Sequence, residues 1–339
     1  MSRERAHPLP SDVYRLPALR ALSLEKSADT IVSGVLAGRA RDIGRAISAV
    51  EREGGAPEIS RALFARTGRA RVLGITGPPG AGKSTLALRL AQAFRRQGKT
   101  VGIVAVDPTS PFTGGAILGD RIRMAEIYTD PGVFIRSMAT RGALGGLSRA
   151  TSDAVDVLDA AGFDVVLVET VGVGQDEVDI VKAAETVAVV LVPGLGDDIQ
   201  AIKAGILEIG DVFIVNKADR EGADRLAAEL SMMLDLSPPH GWRPPIIRTV
   251  APRDEGVEEA LAALGSHGEY LASGGEALER RRRRARARLE ALLDERFRRH
   301  VRDHAPEAEG LNEAALRVAS GRDDPYSAAE RLFSAVIGT

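Results

Sequence analysis

Between about Ser11 and Arg66 the apolar residues fall three and four apart: Ile31, Val35 and Leu36, then Ile43, Ala46, Ile47 and Val50. That spacing puts them on one helical face, and Gly54-Gly55-Ala56-Pro57 predicts a break between helices. From Arg71 the pattern changes to short, continuous apolar runs. They lie at Arg71–Thr76, Val101–Val106, Val133–Met138, Val165–Glu169, Thr186–Val192, Val212–Asn216 and Ile246–Val250. Such runs read as strands buried on both faces. Helix-length segments separate most of them, including Ser84 to about Arg96 and Asp120 to Ile127. The prediction is an α/β fold with a mainly parallel central sheet covered on both sides. Beyond Glu276 there is no strand pattern. A long arginine-rich helix is predicted there, then one or two shorter ones, with a break at Gly321-Arg322-Asp323-Asp324-Pro325. The organisation expected is a helical extension over 1–66, the α/β domain over 67–273, and a helical region over 274–339.

Composition narrows the partners. The chain has 339 residues, 44% hydrophobic and 27% charged, and a formal net charge of −2. That balance gives no global attraction to nucleic acid or to an anionic membrane. There is no cysteine, which excludes disulfides, thiolate nucleophiles and cysteine-ligated metals. Met1–Pro10 is polar and resembles no secretory signal, and Val165–Val168 and Val187–Val192 are too short to span a bilayer. A soluble cytoplasmic protein is expected, with neither nucleic acid nor membrane among its partners.

The most specific pattern is Gly77-Pro78-Pro79-Gly80-Ala81-Gly82-Lys83-Ser84. It fits G-x-x-x-x-G-K-[ST], follows a predicted strand and opens a predicted helix, the context of a phosphate-binding P-loop. Gly77, Pro79, Gly80, Ala81 and Gly82 would wrap backbone N–H groups around phosphate oxygens, aided by the helix N-terminus. Lys83 would reach the β- and γ-phosphates, Ser84 would ligate Mg²⁺, and Thr85 would complete the phosphate cradle.

Downstream, Asn216-Lys217-Ala218-Asp219 ends a predicted strand at the carboxyl edge of the sheet. A carboxylate at Asp219 can accept from guanine N1–H and the exocyclic amine. Adenine offers no such donor pair, so the carboxylate would be left unpaired. Asn216 can tie this loop to the P-loop, and the Lys217 stem can lie over the base. The implied ligands are GTP and GDP with Mg²⁺.

Asp107 ends the second strand and opens a segment with two prolines and two glycines, Asp107–Gly115. Its carboxylate could orient Mg²⁺ or its waters, and the loop suits nucleotide sensing. Asp120 is either a metal-shell ligand or the N-cap of the following helix. Glu169-Thr170-Val171-Gly172 occupies the place of Asp-x-x-Gly, with the acid near Mg²⁺ and the Gly172 N–H on the γ-phosphate. Val173 follows where Ras-like proteins carry a water-positioning glutamine, and Gln175 lies close by. Slow intrinsic hydrolysis, accelerated by a partner, is expected.

Together Gly77–Thr85, Asp107–Asp120, Arg141-Gly142-Ala143-Leu144-Gly145-Gly146-Leu147, Glu169–Gln175, Gly194–Gln200 and Asn216–Asp219 resemble the MeaB/ArgK-type P-loop GTPases. Those GTPases serve adenosylcobalamin-dependent methylmalonyl-CoA mutase. The resemblance runs from about Ser33 to the arginine-rich helix. It implies that Asp107, Asp120 and Glu169 are the Mg²⁺ and catalytic-support carboxylates. It also implies that Asp197, Asp198 and Gln200, with Lys203 a turn later, form a further switch that signals to a cobalamin-dependent acyl-CoA mutase. Val250-Ala251 matches the loop that touches guanine O6, although the family usually has serine before that alanine. The Ala251 N–H is expected to remain available. A homodimer joined through the C-terminal helices is a further implication.

Other features have plainer readings. The arginines at 280–284, 286 and 288 are expected to form a solvated face paired with nearby glutamates. His300 and His304 lack a third ligand, and Trp242 is expected to be a packing anchor. Arg123, Arg136 and Arg141 could reach phosphates or pair on the surface. Alternatives are a metallochaperone GTPase, against which the missing cysteine motifs argue, and a protein-targeting GTPase, against which Glu169 argues. A kinase for a small molecule or transport protein is opposed by the guanine motif.

Overall fold

Seven strands form one parallel sheet in the computed structural model. It describes residues 28–52, 55–107, 125–139, 149–170, 172, 176–194, 204–236, 241–274, 276–304 and 310–337. The strands are β1 (Arg71–Thr76), β2 (Val101–Asp107), β3 (Val133–Ala139), β4 (Val165–Thr170), β5 (Thr186–Leu191), β6 (Val212–Asn216) and β7 (Ile246–Thr249). Their order across the sheet is β3-β2-β4-β1-β5-β6-β7. This is the α/β P-loop architecture that the sequence pattern predicts.

Alternation along each strand builds two cores. Val72, Val104, Val166, Val168, Val187, Val189, Phe213 and Val215 point to one face. Leu73, Ile75, Ile103, Val165, Leu167, Val190, Val212 and Ile214 point to the other. The period of two of a strand makes both sets unavoidable once the sheet is covered on both sides. The first face is covered by α1 (residues 28–36), α2 (Ala40–Val50), α3 (Pro57–Phe64), α5 (Arg149–Ala160) and α8 (Ala223–Leu236). The second is covered by α4 (Lys83–Arg96) and α9 (Val257–Gly274). Full burial of one such side chain, for example Phe213, stabilises the fold by about 1.5–3 kcal/mol.

The break before α3 falls where expected, with Pro57 in its first turn, a position that needs no N–H partner. Short helices α6 (Asp176–Asp179) and α7 (Ala204–Ile209) complete the inter-strand connections among the described residues. Of the helix expected over Asp120–Ile127, the described part, Ala125–Ile127, is a 3-10 turn. Asp130-Pro131 follows, and the residue before a proline disfavours helical backbone. Arg136 pairs with Glu51 at 2.8 Å and so ties β3 to α2, the pairing alternative to phosphate contact. Trp242 packs against His267 and Tyr270 and donates Nε1–H to the Asp211 carbonyl.

The chain divides into two compact units, Met1–Arg280 and Arg281–Thr339. The helix α10 (Glu276–His304) starts in the first, where Arg280 makes a two-pronged contact with Asp211. The second unit holds the rest of α10 with α11 (Leu311–Ala319) and α12 (Pro325–Ile337). There Phe297 and Phe333 rings lie 5.8 Å apart, while Leu289, Leu293, Leu311, Leu316 and Tyr326 are exposed. Among the described residues no helix is long and apolar enough to cross a membrane.

Candidate functional site

Parallel pairing brings the chemistry to one edge. Glu169 sits opposite Ile75 on β1 and Ala105 on β2, so β1, β2 and β4 leave the sheet together at their carboxyl ends. The loop after β1 turns through Gly77 (φ 134), Gly80 (φ 76) and Gly82 (φ 88). Side chains rarely adopt such backbone. Space adds a second reason at two of these positions. A Cβ at Gly77 would strike the Val190 carbonyl oxygen, and one at Gly82 would strike the Asn216 side-chain nitrogen. Pro79 and Gly80 are exposed at the tip, Ala81 is buried, and Thr85 is half-buried on α4.

Lys83, 6% exposed, opens α4 and folds its ammonium back over the loop. Its Nζ donates to the carbonyl oxygens of Gly77 at 2.8 Å and Pro78 at 3.0 Å. Gly172, at φ 86, lies directly against the same loop. A Cβ there would strike the Gly77 carbonyl and come within 2.6 Å of Lys83 Nζ. The Gly172 backbone is therefore held against the phosphate loop, beside the lysine ammonium.

The Ser84 hydroxyl donates to Glu169 Oε1 at 2.5 Å, and both residues are buried. A hydroxyl and a carboxylate make an all-oxygen donor pair of the kind Mg²⁺ takes. Among the described residues no group of three or more His, Asp or Glu side chains could hold a metal. An all-oxygen pair of this kind suits an ion that completes its shell with phosphate oxygens and water, as Mg²⁺ does. Asp107 ends β2 beside Val106, which pairs with Thr170, so its backbone is at the same edge. Its side chain lies outside the described residues, as do Asp120, Asp197, Asp198, Gln200 and Lys203.

Across the loop, Asn216 ends β6. Its Nδ2 donates to the Ala81 carbonyl at 2.8 Å, and its Oδ1 accepts from Thr249 Oγ1 at 3.0 Å. The Ala251 N–H, expected to be available, donates to the same Oδ1 at 3.2 Å. Guanine O6 would therefore have to share or displace that long bond. Lys217 is in the left-handed region at φ 56, and its Nζ donates to the Gly80 carbonyl at 2.7 Å. Ala218 N–H is taken by the Thr249 carbonyl. Asp219 follows on an exposed turn, its Oδ2 3.5 Å from Arg253 Nη1.

Thr249, Arg89 and Arg253 are site neighbours that the sequence pattern does not single out. Only Thr249 carried a signal, a hydroxyl at a strand end two residues before Ala251.

This chain matches the family model described as methylmalonyl Co-A mutase-associated GTPase MeaB over residues 43–306. A Pyrococcus abyssi protein, provisionally named a GTPase, is 51% identical over 316 residues, covering 91% of this chain and 97% of its own. The mitochondrial methylmalonic aciduria type A homolog of Mus musculus is 34% identical over 268 residues, 78% of this chain and 65% of its own. A solved structure titled LAO/AO transport system kinase superposes with a TM-score of 0.68 at 23% identity. It covers 93% of this chain and 99% of its own, a likeness of fold.

Proposed function

The chain belongs to the methylmalonyl-CoA mutase-associated GTPase family and is a GTPase, and from that premise we propose that it gates a cobalamin-dependent acyl-CoA mutase. GTP binding and hydrolysis at the P-loop edge would control loading or protection of adenosylcobalamin on that enzyme, in the cytoplasm. The mutase half of this reading is supported by the family match over residues 43–306, and the nucleotide half by the closure of two distant motifs on one loop. Asn216 bonds Ala81 while Glu169 bonds Ser84 three residues further on.

In this proposal the phosphate cradle is Gly77, Pro79, Gly80, Ala81, Gly82, Lys83, Ser84 and Thr85, with Gly172 N–H on the γ-phosphate. Lys83 exchanges its loop carbonyls for the β,γ-oxygens and neutralises charge that grows as the bond to the leaving phosphate breaks. Ser84, Glu169 and Asp107 would hold Mg²⁺, which supplies further charge neutralisation at those oxygens when bound. Asp120 supports that shell. Asp219 reads the guanine edge, Asn216 holds the reading loop to the cradle, Lys217 covers the base, and Ala251 lies against O6. Asp197, Asp198, Gln200 and Lys203 form the switch that the mutase senses.

The C-terminal region 274–339 is proposed to join two copies, with the exposed Leu289, Leu293 and Leu316 as support. The helical extension over 1–66 and the nucleotide domain over 67–273 complete the organisation.

The test is co-elution with a methylmalonyl-CoA mutase in gel filtration. A complex that differs between GDP and a non-hydrolysable GTP analogue is expected. Two independent peaks in every nucleotide state would refute the mutase reading while leaving the GTPase.

A further inference from the structure

The base-reading carboxylate stands on an exposed turn, with 42% of the Asp219 side chain accessible. A carboxylate that free has rotamers to lose when it meets guanine, and ordering it opposes binding. Arg253 is the cation that faces it, at 3.5 Å.

Arg253 is itself held from several sides. It ends the 3-10 turn Ala251–Arg253, and its N–H bonds the Val250 carbonyl at 2.9 Å. Val250 and Glu255 bridge across the turn, and the Glu255 carboxylate takes Arg253 Nε at 2.8 Å. That contact leaves Nη1 directed at Asp219. The loop is also clamped onto α4. Arg89 donates to the carbonyls of Ala251 at 3.3 Å and Pro252 at 3.4 Å. One turn pair further on, Arg96 meets Asp254 at 3.3 Å and Glu258 at 2.8 Å. Gly256, at φ 74, closes the loop so tightly that a Cβ would strike the Arg248 carbonyl.

We propose that Arg253 is a specificity-positioning residue: through its ion pair it sets the Asp219 carboxylate for the two guanine donors. A carboxylate has about four lone-pair sites, so contact with Arg253 leaves room for N1–H and the exocyclic amine. An ion pair this exposed contributes little to folding. Its consequence is therefore in nucleotide selectivity rather than stability, which separates this role from a structural one. The inference rests on the reading of Asp219 as the guanine contact.

The experiment measures GDP and XDP affinity for the full chain and for R253A, R253K, D219N and the D219N/R253A pair. Xanthine replaces the exocyclic amine with a carbonyl, which an amide at position 219 can serve as donor. R253A is expected to weaken GDP by about five- to tenfold with an unmoved melting temperature, and R253K to restore part of it. D219N is expected to exchange GDP for XDP, and adding R253A should then change XDP affinity by less than about twofold. Equal losses in both backgrounds would mean that Arg253 touches the nucleotide elsewhere, and an unchanged GDP affinity in R253A would mean that it does nothing. Either result overturns the inference. If D219N does not exchange the bases, the Asp219 reading falls and this inference with it; exchange without coupling discards Arg253 alone.

Discussion

Asn216 Nδ2 donates to the Ala81 carbonyl at 2.8 Å, joining residues 135 positions apart and locking the base loop to the phosphate loop. Its Oδ1 takes the Thr249 hydroxyl and the Ala251 N–H, so the buried amide makes three bonds to two other segments. Asn216→Ala removes all of them and strands buried polar atoms, at about 1–3 kcal/mol for each unsatisfied group. The expected result is a lower melting temperature and GDP affinity reduced at least about tenfold. Thermal shift with and without GDP measures both.

Glu169→Gln keeps a side chain that can bond Ser84 but removes the negative charge from a buried oxygen pair. Hydrolysis should slow by about 10–100-fold, and the Mg²⁺ concentration for half-maximal rate should rise. The fold should survive. A magnesium titration of GTP turnover checks this, and an unchanged titration curve would remove Glu169 from the ion's shell.

Gly172 has no room for a side chain: a Cβ would meet the Gly77 carbonyl and Lys83 Nζ, at a backbone φ of 86. Gly172→Ala therefore adds strain of about 1–3 kcal/mol beside the γ-phosphate position. GTP affinity should fall several-fold more than GDP affinity, and turnover should fall with it. Equal effects on both nucleotides would place Gly172 away from the γ-phosphate.

His267 gives the fold a pH dependence. The ring is fully buried, with Nδ1 2.8 Å from Thr186 Oγ1 and Nε2 3.2 Å from Asp211 Oδ1. Burial pushes its pKa below the ordinary 6.5; Asp211 opposes this, while Arg280 and Arg71 add to it. The unfolded chain therefore takes up a proton first as pH falls. Stability is fully present above the unfolded value of about 6.5 and declines as pH drops below it toward the lowered folded value. Melting temperature followed from pH 8 to pH 5 should show that acid-side loss, and His267→Gln should flatten it.

Much of this was legible in the sequence. The central strands could be read because they are apolar on both faces, a pattern that a doubly covered parallel sheet requires, while the edge strands β3 and β7 carry Arg136 and Arg248. Gly77–Ser84 and Asn216–Asp219 could be read because close backbone approach and base discrimination each demand particular residue types. What escaped were contacts made by ordinary residues across long separations. Nothing near Arg89 in sequence announces that it grips the Ala251 carbonyl 162 positions away. Arg253 looks like any surface arginine until the turn it ends aims it at Asp219. The sequence predicts a helix over Asp120–Ile127, and its described end, Ala125–Ile127, is a 3-10 turn.

GTP turnover measured alone and with a cobalamin-dependent acyl-CoA mutase, with ATP as control, tests the proposed function most directly. The expected result is slow hydrolysis of GTP alone, clear stimulation by the mutase, and no ATP turnover in either case. A GTP rate that is fast alone and indifferent to the mutase would contradict it.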